Sequence, residues 1–272
     1  MTTLPSRAPE ARLVTERRSA RPPALAHPVW AERFPWLVQG TTVRADGSGG
    51  FDLGLFSDGS SPDVVRRNWL RLVGESGMER VVHARQVHGC DVHVVSGAAP
   101  SDRSVPGLLD PADGHLTAEP GVQLAVTAAD CVPVFTLDGR RRSTAAGDAG
   151  WRGAAAGILE RAVATMGRTY DVRPEDVLVH LGPAICGSCY EVGPEVFEAL
   201  GLAAPERTEP IDLRVALAAR AGAAGVPADA ISGSTHCTRC GGEGLFSHRG
   251  GDRGRHVGYI GIRPDASSGL EA

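Results

Sequence analysis

The chain has 272 residues, of which 28 are basic and 32 acidic, so its formal charge is −4, and 42% of its residues are apolar. A chain of this length can bury enough surface to fold without disulfide bonds or a structural metal. Its excess of acidic residues argues against a nucleic-acid-binding surface. No apolar run approaches the roughly 18–20 residues that cross a bilayer and the start lacks a signal-peptide core, so we expect a soluble, cytoplasmic protein.

The amino-acid composition of the chain changes near residue 37. Residues 1–36 are rich in Pro, Ala and Arg, with six Arg against three Glu, and we expect a disordered or loosely docked arm. A strand-like pattern of residues then predicts strands over 38–44 and 51–56, joined by a glycine-rich turn. A helix should begin at Pro62 with Ser61 as its cap.

The remaining pattern mixes short strands and helices. Strands are predicted over 80–82, 92–95, 122–126, 177–181 and 256–260, helices over 154–166, 195–200 and 213–221, and a loop over 96–113. Pro133 should disfavour continuation of a central strand. Because no βαβ period repeats, we expect one compact α/β domain over 37–264, rather than a barrel or a Rossmann fold, with a tail over 265–272.

All 28 basic residues are arginine. The absence of lysine excludes a Schiff base, a lysine general base and a Walker-type phosphate loop. A cationic side chain that binds an anion is therefore expected to be arginine, whose planar fork suits phosphate and carboxylate. The segment 247–255 places a hydroxyl, an imidazole and three guanidiniums close together, so it is either a phosphate cradle or a solvated, flexible loop.

Asp130 and Cys131 close an apolar strand with a carboxylate and a thiol. Polar groups at strand ends line clefts in α/β folds. Cys131 is either a small buried residue or a thiolate, and a thiolate needs a nearby cation or metal to lower its pKa. His88 ends another strand directly before a glycine, where the chain can turn and approach a ligand closely.

The segment 146–153 surrounds Asp148, Trp151 and Arg152 with glycine and alanine ahead of a predicted helix. Such a segment is either a ligand-binding loop, whose amides would favour an anion, or a tight surface loop with an ion pair.

Four of the six cysteines form two C-x-x-C pairs, Cys186/Cys189 and Cys237/Cys240. In a reducing compartment such thiols are metal ligands, nucleophiles or core residues rather than disulfides. The two pairs could complete a tetrahedral zinc site, although their separation exceeds the usual zinc-ribbon spacing.

Taken in order, these stretches resemble the YfiH family, whose members are called laccase-like polyphenol oxidoreductase, peptidoglycan editing factor or purine nucleoside phosphorylase. The resemblance covers the chain except its N-terminal arm. It implies a compact α/β sandwich with mixed sheets, as a monomer or homodimer. The segments that carry it are 51–55, Gln86-Val87-His88-Gly89, Ala112-Asp113-Gly114, Ala129-Asp130-Cys131-Val132-Pro133, Ala149-Gly150-Trp151-Arg152-Gly153, 182–185, Cys189-Tyr190-Glu191-Val192, Cys237-Thr238, Phe246-Ser247 and Gly254-Arg255.

The resemblance implies a metal bound by two histidines and one cysteine. One histidine corresponds to His88 and the cysteine to Cys131, whereas the second histidine position is Asp148 in this chain. Zinc accepts carboxylate oxygen as well as imidazole, so the three residues could hold Zn²⁺, or Cu²⁺, with one open position. The shorter, charged aspartate predicts a weaker or geometrically altered site. His248 stands where the family usually has tyrosine.

In the family this site is associated with phosphorolysis of adenosine, inosine and methylthioadenosine and with deamination of adenosine. We therefore expect a zinc-dependent purine nucleoside phosphorylase with adenosine deaminase activity, whose partners are a nucleoside and phosphate and neither nucleic acid nor a membrane. Asp113 is an alternative to Asp130 as proton carrier. The expected catalytic residues are Cys131, Asp130 and Arg152, and those expected to bind substrate or phosphate are Arg85, Gln86, Ser247, Arg249 and Arg255.

Three other functions stay open at this point. A laccase-like copper oxidase would need more clustered histidines than the nine scattered along the chain. An amidase that edits cell-wall precursors would use Cys131 as nucleophile and His88 as base. In a degenerate family member, Asp148 would have ended catalysis and the four C-x-x-C thiolates would hold a structural zinc.

Overall fold

The computed structural model describes residues 11–44, 50–97 and 105–265. Its main elements are two seven-stranded sheets with parallel and antiparallel pairs, which confirms the expected mixed α/β sandwich. The strands are β1 Arg12–Val14, β2 Arg17–Ala20, β3 Pro23–Ala26, β4 Leu37–Thr42, β5 Arg80–Ala84, β6 Val92–Val94, β7 Gly107–Leu109, β8 Gly114–Thr117, β9 Val122–Ala128, β10 Val132–Asp138, β11 Ser143–Ala149, β12 Leu178–Leu181, β13 Glu191–Val192, β14 Glu209–Pro210, β15 Ile231–Ser234 and β16 His256–Ile262. The first sheet has the strand order β1-β15-β12-β10-β11-β8-β6 and the second β2-β3-β4-β16-β9-β5-β7, while β13 and β14 form a small separate ribbon.

The core lies in three apolar layers. Between the sheets, Leu124 and Ile260 of one sheet pack with Phe135 and Leu137 of the other. Trp69 joins the apolar cluster on the outer face of the second sheet, and four helices cover the outer face of the first. The helices are α1 Pro28–Arg33, α2 Pro62–Ser76, α3 Trp151–Ala156, α4 Ile158–Tyr170, α5 Pro194–Ala199 and α6 Leu213–Ala223. Across the described ranges, none of these helices has both the length and the apolar character that a membrane span needs.

The prediction of a disordered or loosely docked arm is wrong for the described part of residues 1–36. β1 extends the first sheet beside β15, and β2 and β3 extend the second beside β4. Between β1 and β2, the buried carboxylate of Glu16 lies 3.0 Å from His180 and accepts a 2.9 Å hydrogen bond from Ser234. Composition could not reveal this partner, which is 164 positions away. Residues 1–10 and 266–272, which include most of the expected tail, lie outside the described residues.

The strand predicted over 51–56 is absent, because side chains rather than a neighbouring strand form the hydrogen bonds to its backbone. The carbonyls of Asp52 and Leu53 accept hydrogen bonds from the side chains of Asn68 and Trp69 on α2. The Asp52 carboxylate in turn accepts backbone N–H groups, including that of Arg255 at 2.9 Å. The segment is thus a rigid loop rather than a strand.

Pro133 does not end a strand, contrary to the prediction. It is the second residue of β10, in the middle of the first sheet. The ladder with β12 begins at Val134, opposite Leu181, so the missing N–H of Pro133 lies just beyond that ladder.

Two other predicted elements differ in detail. The helix predicted over 154–166 breaks at Gly157, whose φ of 89° ends α3 and starts α4. The loop predicted over 96–113 contains the short strand β7, while its residues 98–104 lie outside the described residues. The helix predicted at Pro62 is confirmed, although the Ser61 side chain makes no capping hydrogen bond.

Candidate metal centre and substrate cleft

Three potential metal ligands meet at one end of the sandwich. His88 follows β5, Cys131 lies in the connection that carries the chain from β9 in one sheet to β10 in the other, and Asp148 is in β11. The antiparallel register of β10 and β11 sets Asp148 opposite Pro133, two residues beyond Cys131. One donor atom from each of the three ligands lies within 4.8 Å of the other two. Three residues that are distant in sequence thus lie close together in the fold.

Asp113 fixes the backbone that carries His88. Its Oδ1 accepts the N–H of His88 at 2.7 Å, and its Oδ2 accepts that of Gly89 at 2.8 Å. The same carboxylate also accepts the N–H of Val87. His88 has a φ of 58°, a conformation that non-glycine residues adopt rarely, and these hydrogen bonds hold it there.

The electrostatics of the centre fit a bound cation. Burial raises the pKa of Asp148 from 3.8 to about 7, and the charge of Asp113 adds to this effect. Burial, followed by the charges of Asp148 and Asp130, raises the pKa of the Cys131 thiol well above its ordinary value. The Oδ1 atom of Asp148 is buried without a hydrogen-bond partner. A carboxylate and a thiol in this environment ionise together only if a cation compensates their charge.

The backbone opposite Cys131 leaves room only for glycine. A Cβ atom at Gly150 would lie 2.8 Å from the Cys131 Sγ and 3.6 Å from the Cδ2 of His88. Any side chain at this position would therefore press on the sulfur that would bind the metal.

Two clefts open on either side of these residues. The larger has a volume of about 380 Å³ and includes Phe56 and Arg255, and the smaller has about 300 Å³ and includes Tyr190. Both clefts share His88, Ala129, Cys131 and His248. The candidate metal centre thus lies at the junction of two compartments, each of moderate size.

The residues expected to bind substrate or phosphate lie at different places relative to the two clefts. Arg152 and Arg249 line the smaller cleft, and Arg255 lines the larger. Arg85 is exposed and lines neither of these clefts. Ser247 also lines neither, because its buried hydroxyl accepts the N–H of Gly250 in a tight turn.

Gln86 and Asp130 lie at the clefts, but their polar atoms already have partners. Gln86 donates to the carbonyl of Thr127 and accepts from its N–H, both at 2.8 Å. Asp130, with a φ of 91°, accepts the Thr238 hydroxyl at 2.6 Å and the N–H of Arg249 at 2.7 Å. These contacts favour positioning roles rather than the catalytic role that the sequence suggested for Asp130.

Sequence reasoning missed two features of the site. Phe56, which was placed in a strand, lines the larger cleft with 56% of its surface exposed. Asp113, considered only as a proton carrier, is buried and engaged with backbone amides. The aromatic residue Phe56 between Gly54 and Gly59 could have indicated the first, but no local signal indicates the second.

Comparison with known proteins gives a consistent set of relatives. Residues 40–263 match the family model described as multi-copper polyphenol oxidoreductase laccase. The purine nucleoside phosphorylase YlmD of Geobacillus stearothermophilus is 33% identical over 264 residues, covering 86% of this chain and 93% of YlmD. The crystal structure of YlmD superposes with a TM-score of 0.81 at 30% identity, over 92% of this chain and 99% of YlmD.

Two further relatives carry informative names. The purine nucleoside phosphorylase YfiH of Shigella flexneri is 34% identical over 200 residues, covering 70% of this chain and 77% of YfiH. A protein named adenosine deaminase RL5, from an unknown prokaryotic organism, is 34% identical over 186 residues, covering 63% of this chain and 70% of RL5.

Proposed function

Since the chain belongs to the YfiH family, whose model describes a multi-copper polyphenol oxidoreductase laccase, we propose that it is a zinc-dependent purine nucleoside phosphorylase with adenosine deaminase activity. The names of its relatives YlmD, YfiH and RL5 support an enzyme that acts on purine nucleosides. The observation that carries the proposal is the convergence of His88, Cys131 and Asp148 at the junction of two clefts.

The three ligands suit zinc. Imidazole nitrogen, thiolate sulfur and carboxylate oxygen are all ordinary zinc ligands, and three protein ligands leave a fourth position open, as in catalytic sites. Zinc bound there would supply a Lewis acid and lower the pKa of water. The buried, unpartnered oxygen of Asp148 supports a role as ligand in place of the histidine that the family resemblance implies.

The two clefts suit the two substrates of phosphorolysis. The exposed ring of Phe56 in the larger cleft offers a stacking surface for a purine. The guanidiniums of Arg152 and Arg249 in the smaller cleft can bind phosphate through charge-assisted hydrogen bonds. In this arrangement phosphate approaches the ribose C1′ atom as the glycosidic bond to the purine breaks, giving free base and ribose 1-phosphate.

The alternatives receive less support. The raised pKa of Cys131 keeps its thiol protonated without a cation, which disfavours a simple thiol nucleophile of the amidase kind. Of the described histidines, only His88 and His248 line the two clefts, too few for several copper ions.

The test is product analysis with purified, zinc-loaded protein. With adenosine and phosphate, the proposal predicts adenine and ribose 1-phosphate, and without phosphate it predicts slow formation of inosine. The Cys131→Ser variant should lose both reactions, whereas Cys90→Ser, which changes a cysteine outside the three-ligand centre, should retain them. Formation of neither adenine nor inosine by the zinc-loaded protein would contradict the proposed function.

A further inference from the structure

The two C-x-x-C pairs lie at the ends of neighbouring parallel strands. Cys186 and Cys189 follow β12, and Cys237 and Cys240 follow β15. In the parallel ladder, Leu181 is opposite Gly233. The carboxyl ends of parallel neighbours lie at one edge of a sheet, so the fold itself brings together cysteines that are far apart in sequence.

Backbone contacts continue beyond these strands and align the two loops. Ala184 and Cys237 form an isolated parallel bridge, and the N–H of Thr238 donates to the carbonyl of Ala184 at 3.1 Å. Each C-x-x-C pair then turns tightly: the N–H of Cys189 donates to the carbonyl of Cys186 at 3.0 Å. The corresponding turn at Cys237 is closed by the N–H of Gly241, also at 3.0 Å.

The four sulfur atoms have the spacing of a tetrahedral metal site. All four lie within 4.8 Å of one another, and the Sγ atoms of Cys186 and Cys240 are 3.8 Å apart. Four sulfurs at the usual Zn–S distance of about 2.3 Å are separated by about 3.8 Å along each tetrahedral edge. A disulfide would require about 2.05 Å. The arrangement therefore matches a shared metal ion better than two disulfide bonds.

Backbone amides point at one of the four sulfurs. The Sγ of Cys237 accepts the N–H groups of Cys186 and Cys240, at 3.3 and 3.5 Å. Nearby, Arg214 is largely buried, pairs with Asp212 at 2.8 Å and donates to the carbonyls of Ser234 and His236, so it fixes the segment that leads into Cys237. A zinc ion with four thiolates carries a net charge of −2, which the two amides at Cys237 would stabilise.

We propose that Cys186, Cys189, Cys237 and Cys240 bind a second zinc ion in a closed structural site. Four soft sulfur ligands in a tetrahedron select zinc among the common divalent ions, and they leave no position open for substrate. The site is distinct from the His88, Cys131 and Asp148 centre, with which it shares no ligand.

This second site would hold one wall of the smaller cleft. Ile185 precedes Cys186, Tyr190 follows Cys189, and both line that cleft. Thr238, directly after Cys237, donates to the carboxylate of Asp130 at 2.6 Å. The second zinc would thus hold the two C-x-x-C loops next to the segment that leads into Cys131, without contacting the reacting groups.

The experiment is zinc analysis of the full-length protein and of three cysteine variants purified under reducing conditions. We expect two zinc ions per chain in the wild type and in Cys90→Ser, and one in Cys131→Ser and in Cys240→Ser. Cys240 is the exposed member of the cluster, which makes its substitution the least disruptive to packing. Iron in place of the second zinc would overturn the assignment.

If Cys240→Ser fails to fold, X-ray absorption spectroscopy of the zinc in Cys131→Ser still tests the proposal. The zinc remaining in Cys131→Ser should have only sulfur neighbours, at about 2.3 Å. Complete loss of zinc from that variant, or an intact mass that shows two disulfides in the wild type as isolated under the same reducing conditions, would overturn the proposal. An all-sulfur zinc in a protein that does not process nucleosides would support this site while contradicting the proposed function.

Discussion

The carboxylate of Asp113 accepts the backbone N–H of His88 at 2.7 Å and thereby holds that residue in a left-handed conformation. The same carboxylate binds the amides of Val87 and Gly89. Asp113 therefore positions the candidate metal ligand His88 by binding the His88 backbone rather than the imidazole.

Asp113→Asn should weaken zinc binding at the three-ligand centre about 10–100-fold, the usual effect of losing an outer-shell partner. The asparagine amide would place N–H donors against the N–H groups of residues 87–89 and release the His88 backbone. Competition with a chromophoric chelator measures the affinity. Asp110→Asn, which changes an exposed carboxylate in the same region, is the matched control. Equal affinities in the two variants would contradict the role of Asp113.

Asp148 should make the stability of the protein pH-dependent when its centre is free of metal. Burial raises its pKa from 3.8 to about 7, so the folded state retains a proton that the unfolded state loses in this window. Stability should therefore fall as the pH rises from about 4 to about 7, by on the order of 2–4 kcal/mol in total. Asp148→Asn should remove this fall, because the amide does not ionise.

Urea denaturation of both chelator-treated proteins at pH 5 and pH 8 measures the effect. Asp148→Asn should be more stable than the wild type at pH 8, and the difference should shrink at pH 5. Zinc should reverse the order, because only the wild type offers it a carboxylate. Parallel pH profiles for the two proteins would contradict the raised pKa.

Glu16 should contribute strongly to stability, because it forms a buried pair with His180. Although burial alone would raise the pKa of Glu16, hydrogen bonds from His180 and Ser234 and the charge of His180 keep it below its ordinary value. This contribution is complete above the ordinary pKa of a glutamate and is lost as the pH falls through the lowered one. Glu16→Ala should cost about 3–5 kcal/mol at neutral pH, since it leaves buried partners unpaired.

Chemical denaturation at pH 7 measures this cost. Glu32→Ala is the control, because the Glu32 side chain is 71% exposed and its ion pair with Arg17 spans 3.5 Å at the surface. An exposed pair of this kind contributes about 0–1 kcal/mol. If the two variants lost equal stability, the N-terminal segment would not be anchored as the structure indicates.

Arg249 should bind phosphate during phosphorolysis. Its guanidinium lies in the smaller cleft, 5.2 Å from the centre of the Tyr190 ring. Loss of a charge-assisted hydrogen bond costs about 1.5–3 kcal/mol, so Arg249→Ala should raise the KM for phosphate about 10–100-fold. The KM for nucleoside should change less. Initial rates at varied phosphate measure this, with Arg85→Ala as the control because Arg85 lines neither cleft, and an equal change in that control would contradict the assignment.

The sequence indicated the fold class through the local periodicity of its apolar residues, and the candidate metal ligands through the ordered motifs that resemble the YfiH family. The periodicity of apolar residues marks most strands and helices of the domain, and His88 and Cys131 lie in the connections that follow β5 and β9. Asp148 was found through the motif that follows it. Its burial and its unpartnered oxygen, which suit a metal ligand, could be seen only in the structure.

Other features depend on partners far away in the chain. The N-terminal segment looked disordered because the groups that anchor Glu16 belong to β12 and β15. The carboxylate of Asp52 stabilises a loop instead of a strand by accepting the backbone N–H of Arg255. In each case a long-range hydrogen bond decides the local structure, and no window of neighbouring residues contains that information.

We propose above all that His88, Cys131 and Asp148 bind one metal ion that the reaction needs. Anomalous diffraction recorded on both sides of the zinc absorption edge, from crystals of active protein, tests this proposal directly. We expect a zinc peak within bonding distance of all three side chains, at about 2.0–2.3 Å. A map without that peak, from crystals whose dissolved protein still converts adenosine and phosphate to adenine, would contradict it.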